Sequence, residues 1–137
     1  MGLDNGFLIK FEKGPISREK LPSNLIYLSD QDFEDGIEIA YFRKDWGLRN
    51  AIISYLSSSE DGDEKYEYDI YNPQDILEIV NIILYFMNPV VWEEEGDSIW
   101  TYEQAAPGLK NTVINLMIMY FYMQNTNDVY ISFYDSY

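Results

Sequence analysis

The stretch KYEYDIYNPQDILEIVNIILYFM, residues 65–87, decides the fold, because hydrophobic periodicity changes within it from two to about 3.6. Lys65, Glu67, Asp69 and Tyr71 alternate with Tyr66, Tyr68 and Ile70, the pattern of a strand wet on one face and aromatic on the other. Asn72-Pro73 then supplies an N-cap and a proline at the first helical position. Ile76, Leu77, Ile79, Val80, Ile83, Leu84 and Met87 form a wide apolar stripe, so a central packed helix runs to about Met87, where Asn88-Pro89 stops it.

Outward from this unit, Phe7-Leu8-Ile9-Lys10-Phe11 reads as a strand after a turn-rich opening, with Phe7, Ile9 and Phe11 on one face. Gly14-Pro15 ends it, and Ser17 is a candidate cap for one short helical turn. Asp35-Gly36 turns the chain into a second strand, Ile37 to Phe42, in which Ile37, Ile39 and Tyr41 share a face. Asp45 is the expected N-cap of a helix through about Leu56, carrying Leu48, Ile52, Tyr55 and Leu56 at spacings of three and four. Ser57 to Glu64 reads as an acidic loop. The segment with Trp92, Ile99, Trp100 and Tyr102 suggests one short strand. Thr101 and Gln104 have capping-box spacing, but Pro107-Gly108 interrupts it and places the start of the long last helix near Pro107. A strand from Val129 to Tyr134 closes the chain. The expectation is a single α+β domain over residues 1–137, with a mixed or mainly antiparallel sheet of four to five strands and about three helices on one face.

Composition narrows the chemistry. The 137 residues include 24 acidic and 9 basic side chains, a net charge of −15. Residues 51–137 hold 15 of the acids and only Lys65 and Lys110 as bases. Such a field repels nucleic acid and anionic membranes and attracts basic partners. No cysteine and no histidine are present, which removes disulfides, thiolate chemistry and imidazole mechanisms. The 11 apolar-rich residues Val113 to Met123, broken by Asn115, are too short to span a bilayer and read as a buried helix. The start of the sequence lacks a signal-peptide layout, and Gly6 fails the myristoylation pattern, so a cytoplasmic location is expected.

Two constellations carry the functional expectations. The acids Glu60, Asp61, Asp63, Glu64, Glu67 and Asp69 form one group, and Glu93, Glu94, Glu95 and Asp97 another. Asp61-Gly62-Asp63-Glu64 lacks the ligand order of a calcium loop, and no metal or cofactor is expected. Neighbouring same-face strand residues such as Glu67 and Asp69 stand about 6.7 Å apart, close to two phosphate steps of roughly 3.4 Å along a DNA strand. An acidic surface of this kind suits a non-catalytic protein that occupies a basic, nucleic-acid-handling partner. The other constellation, Tyr41, Arg43, Lys44, Trp46 and Arg49, combines cations and aromatics at a strand-to-helix junction, and suits a nucleotide or phosphorylated ligand. Its plainer alternative is local ion pairing around a core tryptophan. A third expectation is a homo-oligomeric structural protein that uses the tyrosine-rich strands Tyr66 to Tyr71 and Tyr130 to Tyr137, with two copies pairing as a homodimer if the C-terminal strand lies at a sheet edge. With so many acids, a close carboxylate pair has little meaning for catalysis, and no nucleophile elbow or phosphate loop appears.

Met1-Gly2-Leu3-Asp4-Asn5-Gly6, together with Ile37-Glu38-Ile39-Ala40-Tyr41-Phe42-Arg43-Lys44-Asp45-Trp46-Gly47-Leu48-Arg49, resembles a group of small uncharacterised proteins from phages and prophages of low-GC Gram-positive bacteria. The resemblance covers roughly the first 55 residues. It implies a phage accessory protein, a class that often inhibits host restriction or CRISPR machinery.

Overall fold

A computed structural model describes residues 3–13, 18–26, 36–57 and 67–136. The acidic loop acids Glu60, Asp61, Asp63 and Glu64 lie outside the described residues, as do Ser17, Asp35, Lys65 and Tyr66. Among the described residues four strands appear, β1 (Asp4–Phe11), β2 (Ile37–Arg43), β3 (Glu67–Ile70) and β4 (Val129–Ser136). The helices are α1 (Trp46–Ser57), α2 (Pro73–Phe86), α3 (Pro89–Glu95) and α4 (Tyr102–Met123), with a short 3-10 turn at Arg18–Lys20. The sheet is antiparallel throughout, in the order β2-β1-β4-β3, and the fold is α+β.

Alternation explains which face of the sheet the helices cover. Phe7 and Ile9 of β1, Ile131 and Phe133 of β4, and Tyr68 and Ile70 of β3 are buried beneath Ile76, Ile79, Val80 and Ile83 of α2 and Leu116 and Met119 of α4. Phe7 anchors this layer, with ring centroids 4.9 Å from Phe133 and 6.3 Å from Phe42. Phe86 joins the buried stripe of α2, whereas Leu84, expected there, is exposed. The N-cap of α2 forms as expected, with Asn72 Oδ1 accepting from Gln74 N at 3.0 Å.

Several elements differ from the sequence-based expectation. The opening residues Asp4 to Gly6 are strand rather than turn. Gly6 is required there by close approach, because a Cβ would lie 2.4 Å from Ala40 O and 2.7 Å from the Tyr134 ring. The pairing register slips between Phe7 and Leu8, so Ile39 and Ala40 together oppose one residue of β1. This bulge keeps Ile37, Ile39, Ala40 and Phe42 buried and turns Tyr41 outward, away from the face it was expected to share with Ile37 and Ile39. Residues 89–95 form a helix rather than a strand, begun by Asn88-Pro89 just as Asn72-Pro73 begins α2. The capping box of Thr101 and Gln104 is fully formed, so α4 starts at Tyr102 and accommodates Pro107 internally. The last strand occupies the centre of the sheet, which removes the edge that pairing through it would need.

Asn115, the break in the apolar run, is fully buried. Its Nδ2 donates to Ile26 O at 2.7 Å and to Ile39 O at 2.9 Å, while its Oδ1 accepts from Ile26 N at 2.7 Å. One side chain thus ties the 18–26 segment and the outer edge of β2 to α4.

Candidate functional site

The face of the sheet turned away from the helices gathers most of the chemistry. The strand registers arrange it in rows. Glu67, Tyr134, Gly6 and Tyr41 lie across the four strands in one row. Asp69, Ser132, Leu8 and Glu38 form the next. Tyr130 faces Lys10 beyond them, and Ser136, Asp4 and Arg43 align at the opposite end. Tyr71 follows β3 and stacks on Tyr130, with centroids 4.6 Å apart and planes 28° from parallel.

Hydrogen bonds hold two of these tyrosines to carboxylates. Tyr41 Oη donates to Asp4 Oδ1 at 2.6 Å, and Tyr134 Oη donates to Glu38 Oε2 at 3.1 Å. The missing Cβ of Gly6 lets the Tyr134 ring lie flat over β1 towards Glu38. Burial and the Glu38 charge push the Tyr134 phenol well above its ordinary range. The bond to Asp4 raises Tyr41. Burial raises Glu38 itself, against the opposing hydrogen bond from Tyr134.

The Glu67–Asp69 pair shares one face, as alternation requires, and both carboxylates approach the buried Ser132 hydroxyl, at 2.8 and 3.0 Å. A hydroxyl has one proton, so it serves one carboxylate at a time. Lys10 makes the arrangement tolerable by ion pairing with Glu67. Burial opposes charge on both partners, but their hydrogen bond and attraction prevail, raising Lys10 and lowering Glu67.

The second acid group is elsewhere. Glu93, Glu94, Glu95 and Asp97 are exposed on α3 and the turn after it. That turn docks beside the end of β2, through an Asp45–Ser98 bridge, while Glu67 and Asp69 stand on β3 at the opposite edge. The described acids of the two groups therefore do not form one patch. Asp4 and Glu38 complete the acidity of the sheet face instead.

The basic constellation is dispersed by its own contacts. Arg49 forms a bidentate pair with buried Asp135, Nη2 to Oδ2 at 2.7 Å and Nε to Oδ1 at 3.1 Å. Its charge is directed into the protein. The N-terminus of α1 is also occupied, since Trp46 N donates to Asp97 O at 3.3 Å and Gly47 N to Gly96 O at 2.8 Å. Asp45 precedes α1 as expected, but its carboxylate bonds the Ser98 hydroxyl rather than capping the helix, and burial raises its pKa. Trp46 is 36% exposed, not a core residue. Tyr41 and Arg43 alone of this set border a cavity of about 280 Å³, shared with Trp100 and the first half of α4.

Among the described residues no cluster of carboxylates is placed to hold a metal ion, and no single helix is long and apolar enough to cross a membrane. Comparison of the chain with family models, with curated proteins and with solved structures finds no match.

Proposed function

We propose that this chain is a non-catalytic binding protein that engages a basic protein partner through the open face of its sheet. The observation that carries this reading is the interleaving of tyrosines with carboxylates in register across the strands. Tyr41, Tyr71, Tyr130 and Tyr134 supply large, stiff, amphipathic contact area at low entropic cost. Asp4 and Glu38 already fix two of them, so little ordering remains for the moment of binding. Asp4, Glu38, Glu67 and Asp69 supply negative charge, and the net −15 steers a cationic surface towards them.

The resemblance to phage proteins makes a host nucleic-acid-handling factor of the restriction or CRISPR type the first partner to test. The same charge that attracts such a factor repels the nucleic acid itself. The face also favours binding over catalysis, because its phenols are raised and its Ser132 hydroxyl is engaged by carboxylates. A nucleotide-binding reading is less well supported, since Arg49 is committed to Asp135.

The test is capture of partners from bacterial lysate at low and high salt, using the unaltered chain and a Tyr41→Ala/Asp69→Lys variant. A basic protein retained only by the unaltered chain, and released by salt, is the expected result. Equal retention by both chains would overturn the assignment of this face.

A further inference from the structure

A second site lies at the junction of α3 and α4, away from the open sheet face and resting on none of the arguments above. A cavity of about 420 Å³ opens there, within the range of ordinary ligand pockets. Trp92, Trp100 and Tyr102 line it together with Glu93, Asp97 and Glu103.

The polar handles of its aromatic residues are already used. Trp92 Nε1 donates to Trp100 O at 3.0 Å, Trp100 Nε1 donates to Arg43 O at 2.8 Å, and Tyr102 Oη donates to Met87 O at 3.1 Å. These bonds lock the three side chains; Trp92 is buried and forms the floor of the cavity, and the ring carbon left open to a ligand belongs to Trp100 and Tyr102. The neighbouring backbone is equally occupied. The capping box of Thr101 and Gln104 satisfies the start of α4, which therefore presents no open anion site. Ser98 Oγ accepts from Trp100 N and bonds Asp45.

The carboxylates are what remain. Glu93 and Glu103 are exposed, as is Asp97, and among the described residues no lysine or arginine pairs with any of them. They are not clustered tightly enough to share a metal ion. Aromatic carbon surrounded by dispersed negative charge is the environment that recognises an organic cation, by attraction to ring quadrupoles and by hydrogen bonds to carboxylates. We infer that this cavity binds an organic cation of the size of an arginine or lysine side chain. Its source is either a free small molecule or a side chain presented by another protein, and both share this chemistry.

The test uses the indole N–H resonances of Trp92 and Trp100 in heteronuclear NMR spectra of the whole chain. The probes are N-acetyl-arginine amide, tetramethylammonium, a short arginine-containing peptide, and sodium chloride as a charge-screening control. The expected result is a saturable shift of both indoles with the organic cations but not with sodium chloride, while the Ile131 and Ser132 amides of β4 stay in place. The combined Glu93→Gln, Asp97→Asn and Glu103→Gln variant alters only exposed side chains, and it should weaken binding about tenfold or more. A peptide that binds at least about tenfold more tightly than the free cations identifies a protein side chain as the source, and equal affinities identify a small molecule. Absence of shifts, shifts reproduced by sodium chloride, or undiminished binding to the variant would each overturn the inference. None of these outcomes bears on the sheet face, which is tested by Tyr41 and Asp69.

Discussion

Arg49 on α1 and Asp135 on β4 meet fork to fork beneath the sheet, and Asn5 Nδ2 adds a third bond to Asp135 Oδ1 at 2.7 Å. Asp135 is 3% exposed, so these partners, rather than water, satisfy the hydrogen bonding of its carboxylate. Replacing Arg49 with alanine strands a buried carboxylate, and such losses cost about 3–5 kcal/mol. Urea unfolding of Arg49→Ala should show this reduction. The double variant Arg49→Met/Asp135→Leu should recover most of it, because no orphaned charge remains.

Asn115 supports a comparable prediction in a neutral setting. Leucine fills a similar volume but abandons Ile26 N, Ile26 O and Ile39 O. At about 1 kcal/mol or more for each unsatisfied group, Asn115→Leu should lose roughly 3 kcal/mol. Hydrogen exchange would register the change first at Ile26, whose amide loses its acceptor.

The Lys10–Glu67 pair sets a pH dependence whose sign follows from its two shifts. Glu67 is lowered in the folded state, so its contribution is present above the unfolded glutamate value of about 4.3 and is lost as pH falls. Lys10 is raised, so its contribution is present below the unfolded lysine value of about 10.4 and is lost as pH rises. The pair therefore stabilises the fold across the intervening window. Thermal melts of Lys10→Met should show a deficit of up to about 1 kcal/mol at neutral pH. That deficit should shrink towards pH 3, where the carboxylates protonate.

Gly47 allows a structural test of how α3 is held. A Cβ there would stand 2.0 Å from Glu95 O and 2.7 Å from Gly96 O, both backbone atoms that no side-chain rotation can move. Gly47→Ala should push α3 away from α1 and cost at least about 1–3 kcal/mol. Near-ultraviolet circular dichroism would report the change through Trp92, whose ring packs edge-on against Phe86 at 6.5 Å.

The α+β class, the four strands and the burial of α2 were legible because period-two and period-3.6 patterns are dictated by which atoms meet water. Asn72-Pro73 announced its helix for a local reason, a side-chain cap and a preset φ. Asn88-Pro89 carries the same signal, and its reading as a stop alone concealed α3. Tyr41 was misplaced because a bulge inverts facing partway along β2, and a bulge depends on the partner strand rather than on the sequence of its own. The open sheet face was hidden for the same reason. Asp4, Glu38, Glu67 and Tyr134 are distant in sequence and become neighbours only through register. Arg49 resembled a ligand group until Asp135, at the far end of the chain, supplied its counter-charge.

The order β2-β1-β4-β3 also fixes when this protein can become itself. β1 and β4 are adjacent at the middle of the sheet, with Asp4 opposite Ser136 and Phe11 opposite Val129. During synthesis the first strand can find β2 early, but β3 has no partner in the sheet until β4 leaves the ribosome. The apolar residues of β1 and β3 that pack beside β4 must wait for it, and contacts this remote close slowly. A stalled or clipped chain lacking β4 would hold two separated fragments of a sheet, and would be a substrate for chaperones and proteases rather than a weakened version of the finished protein.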